Sequence, residues 1–140
     1  MKLALLALVA ATCFAADLDA VRAEPNLEKR SEKALHNANA AVDRARNAHE
    51  TGTEAAFKAG LQEIQDSIRL AKESLDKSGK NARRNPKYFK RAEQALRRLG
   101  RRLDTLRLEL SVDDRAPVEA LMREADTTRD QIVEAIMGRK

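Results

Sequence analysis

This 140-residue chain holds two histidines and one cysteine. Nucleophilic catalysis needs a Ser, Cys or Lys beside a base, and acid/base work needs a His or a carboxylate with a displaced pKa. His36 and His49 fall in one helical segment, and 13 residues at 1.5 Å each separate them by about 20 Å, too far to share a site. Glu32 and His36 are one turn apart and can present two ligands on one side. Two ligands do not close a metal site, so an ordinary surface ion pair is the expectation. The pair Asp113-Asp114 reads as helix-start residues, not as a carboxylate dyad. There is no Gly-rich phosphate loop and no C-x-x-C-H haem attachment sequence. Neither histidine falls in the last helical segment, where the haem-carrying bundles keep their axial ligand. The expectation is a non-enzymatic chain with no metal and no cofactor.

The one asymmetric chemical feature is charge. The formal net charge is +5. From Lys77 to Arg107, however, 12 basic residues face two acidic ones, a local +10, while residues 16–76 and 108–140 each carry −3. Taking Phe89 and Leu96 as successive first core positions of a heptad puts Lys87, Lys90, Arg91, Arg97, Arg98 and Arg101 on the outer positions, away from neighbouring helices. Arg102 and Arg107 flank the seam and can reach acidic neighbours. From Lys87 to Arg101 the strip is about 21 Å long, and Arg83 and Arg84 extend it. Lys87, Lys90 and Arg91 also lie at the positive end of their helix, where a bound anion is favoured. These eight residues are the candidate anion-binding site, against the plain alternative that they only solvate a helix face. The expected partner is an anionic envelope surface or an acidic protein. Nucleic acid is disfavoured, because Tyr88 and Phe89 are the only aromatics nearby and Phe89 belongs to the core.

The elements that must hold this strip are helices. Aromatics make up 3% of the chain, against 43% hydrophobic and 35% charged residues, with few Gly or Pro; that composition excludes sandwiches, collagen-like chains and disulfide scaffolds. Lys2, the apolar run Leu3 to Ala11 and the small-x-small stretch Cys13-Phe14-Ala15 read as a signal peptide over 1–15. Nine apolar residues are too few to span a bilayer. Cleavage after Ala15 would remove the single cysteine; lipidation at Cys13 is the rival. The expected location is periplasmic or secreted.

Residues 16–25 are expected to form a flexible leader and residues 26–140 the domain. Four segments of about 24 residues each repeat apolar or small residues at steps of three and four. The first carries Leu27, Ser31, Ala34, Ala38, Ala41, Ala45 and Ala48. The second carries Phe57, Leu61, Ile64, Ile68, Ala71 and Leu75, flanked by Gly60, Ser67 and Ser74 at seven-residue spacing. The third carries Phe89, Ala92, Leu96, Leu99, Leu103, Leu106 and Leu110, and the fourth Val118, Leu121, Ala125, Thr128, Ile132 and Ala135. Gly52, Ser78-Gly79 and Ser111 to Pro117 interrupt them; Thr53, Asn85 and Asp113 or Asp114 are the expected caps, with Pro86 in the first helical position. Short connections predict that consecutive helices are antiparallel neighbours in an all-α, up-down-up-down four-helix bundle. Stacked hairpins of the tetratricopeptide kind do not fit helices this long. Small residues on the first two helices predict a close approach of their backbones.

The strings Gly79-Lys80-Asn81-Ala82-Arg83-Arg84-Asn85-Pro86-Lys87-Tyr88-Phe89-Lys90-Arg91-Ala92-Glu93, Glu24-Pro25-Asn26-Leu27-Glu28-Lys29-Arg30-Ser31, Ser111-Val112-Asp113-Asp114-Arg115 and Ile136-Met137-Gly138-Arg139-Lys140 together resemble a family of uncharacterised bacterial secreted or periplasmic helical proteins. The resemblance implies an exported helical domain and no activity. Function thus reduces to binding or scaffolding through the basic strip, with a small-ligand or metal carrier of the periplasmic helical-bundle type as the alternative.

Overall fold

The structure, a computed structural model, describes residues 17–138. The signal-peptide reading of 1–15 and the final Arg139-Lys140 lie outside the described residues. Four long helices pack on one another: α1 (Leu27–Glu50), α2 (Glu54–Lys77), α3 (Lys87–Glu109) and α4 (Ala116–Ile136), with a 3-10 turn at Val112–Asp114 before α4. No helix among the described residues is long and apolar enough to cross a membrane.

The stripes are buried over most of their length, but Ala135 at the end of the fourth is exposed and Leu27 at the start of the first is half-buried. All seven stripe residues of the third segment, from Phe89 to Leu110, are buried, as are Ile64, Ile68 and Leu75 on α2 and Val118, Leu121 and Ile132 on α4. Gly52 and Gly79 close α1 and α2 with φ of 73° and 67°, the left-handed conformation that glycine adopts without steric cost. The caps follow expectation less closely. Asn26 accepts the Lys29 N–H at 3.0 Å and caps α1. The Thr53 side chain makes no cap bond and lies 3.3 Å from the Thr51 hydroxyl instead. Pro86, not Asn85, precedes the first residue of α3, and Arg115 takes the cap position of α4 because Asp113 and Asp114 are used in the 3-10 turn.

The α1–α2 seam is the tightest contact in the molecule. A Cβ added at Gly60 would sit 3.1 Å from the Ala45 Cβ and 3.3 Å from its Cα, so the two backbones meet where the small residues coincide. The register that sets Ala45 against Gly60 and Asn37 against Ser67, whose hydroxyl accepts from the Asn37 amide at 3.1 Å, places Ser31 opposite Ser74 two heptads along. Both hydroxyls are buried and, among the described residues, unbonded. Leaving a hydroxyl dry and unpaired costs more than removing it. Ser31→Ala with Ser74→Ala is therefore expected to raise the stability by about 1 kcal/mol, read as a shifted midpoint in urea.

Two expectations need correction. First, α2 and α3, though consecutive, are not neighbours: α1 packs on α2 and α3, and α4 packs on α3 and α2, which puts α2 across the diagonal from α3. Ion pairs Arg91–Glu32, Arg102–Asp43 and Arg46–Glu109 tie α1 to α3. Residue numbers rise together along both helices, so these neighbours run in the same direction. The nine-residue connector 78–86 makes the crossing. Fully extended it would reach about 30 Å, and it buries Ala82 on the way. Second, the leader is not loose. Residues 17–22 are helical and Leu18 is 4% exposed. Asp17 pairs with Arg44 at 3.7 Å, and Glu24 receives Lys33. The physical reason is burial: Leu18 joins the hydrophobic core.

Candidate functional site

The eight strip residues are all exposed. Six of them line the outer side of α3, and Arg83 and Arg84 sit in the connector, where the Asn81 side chain accepts both of their backbone N–H groups at 2.9 and 3.1 Å and fixes a turn. Tyr88 lies between two cations, with the Lys87 ammonium 5.5 Å and the Arg91 guanidinium 5.3 Å from its ring centroid. These contacts hold the first turn of the strip together through the ring quadrupole.

Pairing separates the strip from the rest of the surface. Within it only Arg91, on Glu32 at 2.9 Å, and Arg97, on Glu93, touch a carboxylate. Both depart from the expectation that the outer positions stay clear of acidic partners, because an arginine is long enough to reach round the helix from them. Among the described residues, Arg83, Arg84, Lys87, Lys90, Arg98 and Arg101 have no carboxylate within 4.0 Å. Outside the strip the same holds only for Lys29, Arg30, Arg115 and Arg123, and of these Arg30 and Arg115 bond backbone carbonyls. Arg102 reaches Asp43 on α1, as its seam position predicted, while Arg107 pairs with Asp104 one turn back on its own helix.

Sequence reasoning passed over Glu93. It is 8% exposed, at the α3–α4 contact, and receives both Arg97 and Arg129, the latter at 2.9 Å. Burial raises its pKa, but the two guanidinium groups outweigh burial and hold the carboxyl below its ordinary value. A folded pKa below the unfolded one stabilises the fold above the unfolded value of about 4.3, and that contribution disappears as pH falls through the folded pKa. Glu93→Gln is expected to lower the melting temperature at neutral pH and to flatten its fall on acidification, measured by circular dichroism between neutral pH and strongly acidic buffer.

Several clefts mark the described surface; one of about 560 Å³, at the connector, is lined by Leu75, Lys80, Ala82, Arg83 and Phe89. Between α1 and α3, Glu32, His36, Asn39, Arg91, Gln94, Ala95 and Arg98 line a groove of about 220 Å³. Glu32 is engaged there with Arg91, so the expected Glu32–His36 ion pair gives way to one between helices. A larger cleft of about 730 Å³ opens between α2 and α4 at the α1–α2 turn, walled by Ala48, Phe57, Leu61, Pro117, Ala120 and Leu121. His49 stands at its rim, 5.5 Å from the Phe57 ring. Among the described residues no three His, Cys, Asp or Glu side chains converge to hold a metal ion.

The described residues form an all-helical bundle of four long helices. Compared with protein-family models, with curated proteins and with solved structures, the chain matches none of them.

Proposed function

We propose that the chain is a non-enzymatic, exported helical bundle that acts by binding or scaffolding, with the α3 face set against an anionic surface such as envelope lipid or an acidic protein. One observation carries this reading. Cations elsewhere on the described surface are mostly spent on carboxylates, whereas those of the strip are mostly not. An unneutralised row focuses positive potential on one side of the molecule and costs stability through mutual repulsion. A face that merely solvated the helix would gain from interspersed Glu and Asp.

The test spares Arg91 and Arg97, whose loss would disturb Glu32 and Glu93. Arg84, Lys87, Lys90, Arg98 and Arg101 all replaced by Gln are expected to leave helicity intact and to weaken retention on immobilised heparin by tenfold or more, on the order of 1 kcal/mol for each cation near an anionic surface before screening. Retention equal to that of the unaltered chain would reject the reading. The 730 Å³ cleft favours a second reading, carriage of a small ligand, since apolar Phe57, Leu61 and Leu121 and polar Glu54, Lys58, Gln62 and Asp113 all line it. Such a ligand would stay bound to the same charge variants.

A further inference from the structure

Only three large hydrophobic side chains are exposed among the described residues, and two of them, Leu108 at 60% and Val112 at 76%, stand at the end of the basic face. Leu108 is no stray. Lys87, Arg101 and Leu108 share one heptad position, so they fall on one line along the outside of α3, with Leu108 about 10 Å beyond Arg101. Val112 follows in the 3-10 turn. The face therefore reads as cations over most of its length and apolar contact at one end.

Resting on the reading of this face as an anion-binding surface, we propose that its partner is an anionic lipid bilayer, on which α3 lies flat with its cations among the headgroups and Leu108 and Val112 dipping into the interface. A bilayer offers charge at its surface and apolar substance directly beneath, the same pair of chemistries in the same order. A soluble polyanion or an acidic protein tail satisfies the cations and leaves two exposed aliphatic side chains in water. Single-stranded nucleic acid would need stacking platforms, and Tyr88 is already flanked by Lys87 and Arg91. Net charge orients the docking. The stretch 16–76, which supplies α1 and nearly all of α2, carries −3, so an anionic membrane repels that side of the molecule and admits α3. Asp113 and Asp114 beside Val112 limit the depth, which keeps the apolar contact at headgroup level and the binding reversible.

The experiment is co-sedimentation of the full chain with vesicles of phosphatidylcholine, with and without phosphatidylglycerol, run beside heparin retention; every variant keeps the same N-terminal segment, so its contribution cancels. The unaltered chain should partition more strongly onto the vesicles containing phosphatidylglycerol and be released by salt. Leu108→Ser with Val112→Ser, both at exposed positions, should reduce that partition by about tenfold, roughly the loss of two partly buried aliphatic side chains, and leave heparin retention unchanged. Arg98→Gln with Arg101→Gln should weaken both. Vesicle binding unaffected by the serine pair overturns the bilayer as partner while the anion-binding reading stands. If the glutamine pair changes neither vesicle nor heparin binding, the underlying reading falls, and this inference with it.

Discussion

Gly60→Leu is expected to destabilise the protein by about 3 kcal/mol, the upper part of the usual range for overpacking a filled core. Glycine inside a helix normally costs about 1 kcal/mol relative to alanine, so at an open position any larger residue would improve α2. At Gly60 the neighbour is Ala45, whose Cβ and Cα would stand 3.1 and 3.3 Å from a new Cβ. One of these atoms is backbone and cannot rotate away; the helices must separate, and every small residue along the seam loses contact with its opposite. Gly60→Ala is the control. Its helix-propensity gain and its steric cost oppose each other, so it should fall well short of the leucine variant in its effect. Guanidinium unfolding midpoints of the two variants measure the difference. Adding Ala45→Gly to Gly60→Leu should recover part of the loss, a coupling that two independent sites would not show. A leucine variant as stable as the unaltered chain would mean that the seam opens without cost.

The seam was legible because its signal is local. Ala at steps of three and four on α1, with Gly60, Ser67 and Ser74 at sevens on α2, specifies both a face and the size of what meets it. The α3 stripe was legible for the same reason, and so was the outward position of the cations. Neighbour identity was not legible. A stripe says which side of α3 is buried but not whether α1 or α2 covers it. The nine residues of the connector 78–86 can serve an adjacent or a diagonal helix equally well, and the diagonal placement follows from packing of all four stripes at once. That placement brings Arg91 beside Glu32 and Arg102 beside Asp43 on the parallel neighbour α1. Heptad position alone assigned Arg91 to solvent. Glu93 was hidden for a related reason: a charged residue flanking a stripe reads as surface until a specific partner, here Arg129 from α4, covers it. Leu108 stands between Arg107 and Glu109 in the sequence, and only the fold shows that it and Val112 are both exposed.

Leu18→Ala is expected to cost about 2 to 3 kcal/mol, the lower part of the range for a buried leucine, because a site near the start of the described chain can partly collapse. Residues 16–25 carry too few apolar positions to reveal a helical period, so nothing short of tertiary contact distinguishes them from a loose leader. Contact is what decides the matter: Leu18 is 4% exposed, within the hydrophobic core. Asp17 on Arg44 and Glu24 on Lys33 hold the two ends of this short helix against the hairpin. A helix this brief has no stability of its own, so its order must come from the surface it covers. Two measurements separate the alternatives. In the alanine variant the melting temperature should fall, and backbone amides of the α1–α2 hairpin should lose hydrogen-exchange protection before those of α3, since Asp17 and Glu24 seat the short helix on α1. An unchanged melting temperature with unchanged protection would return the segment to the loose leader that its composition suggests.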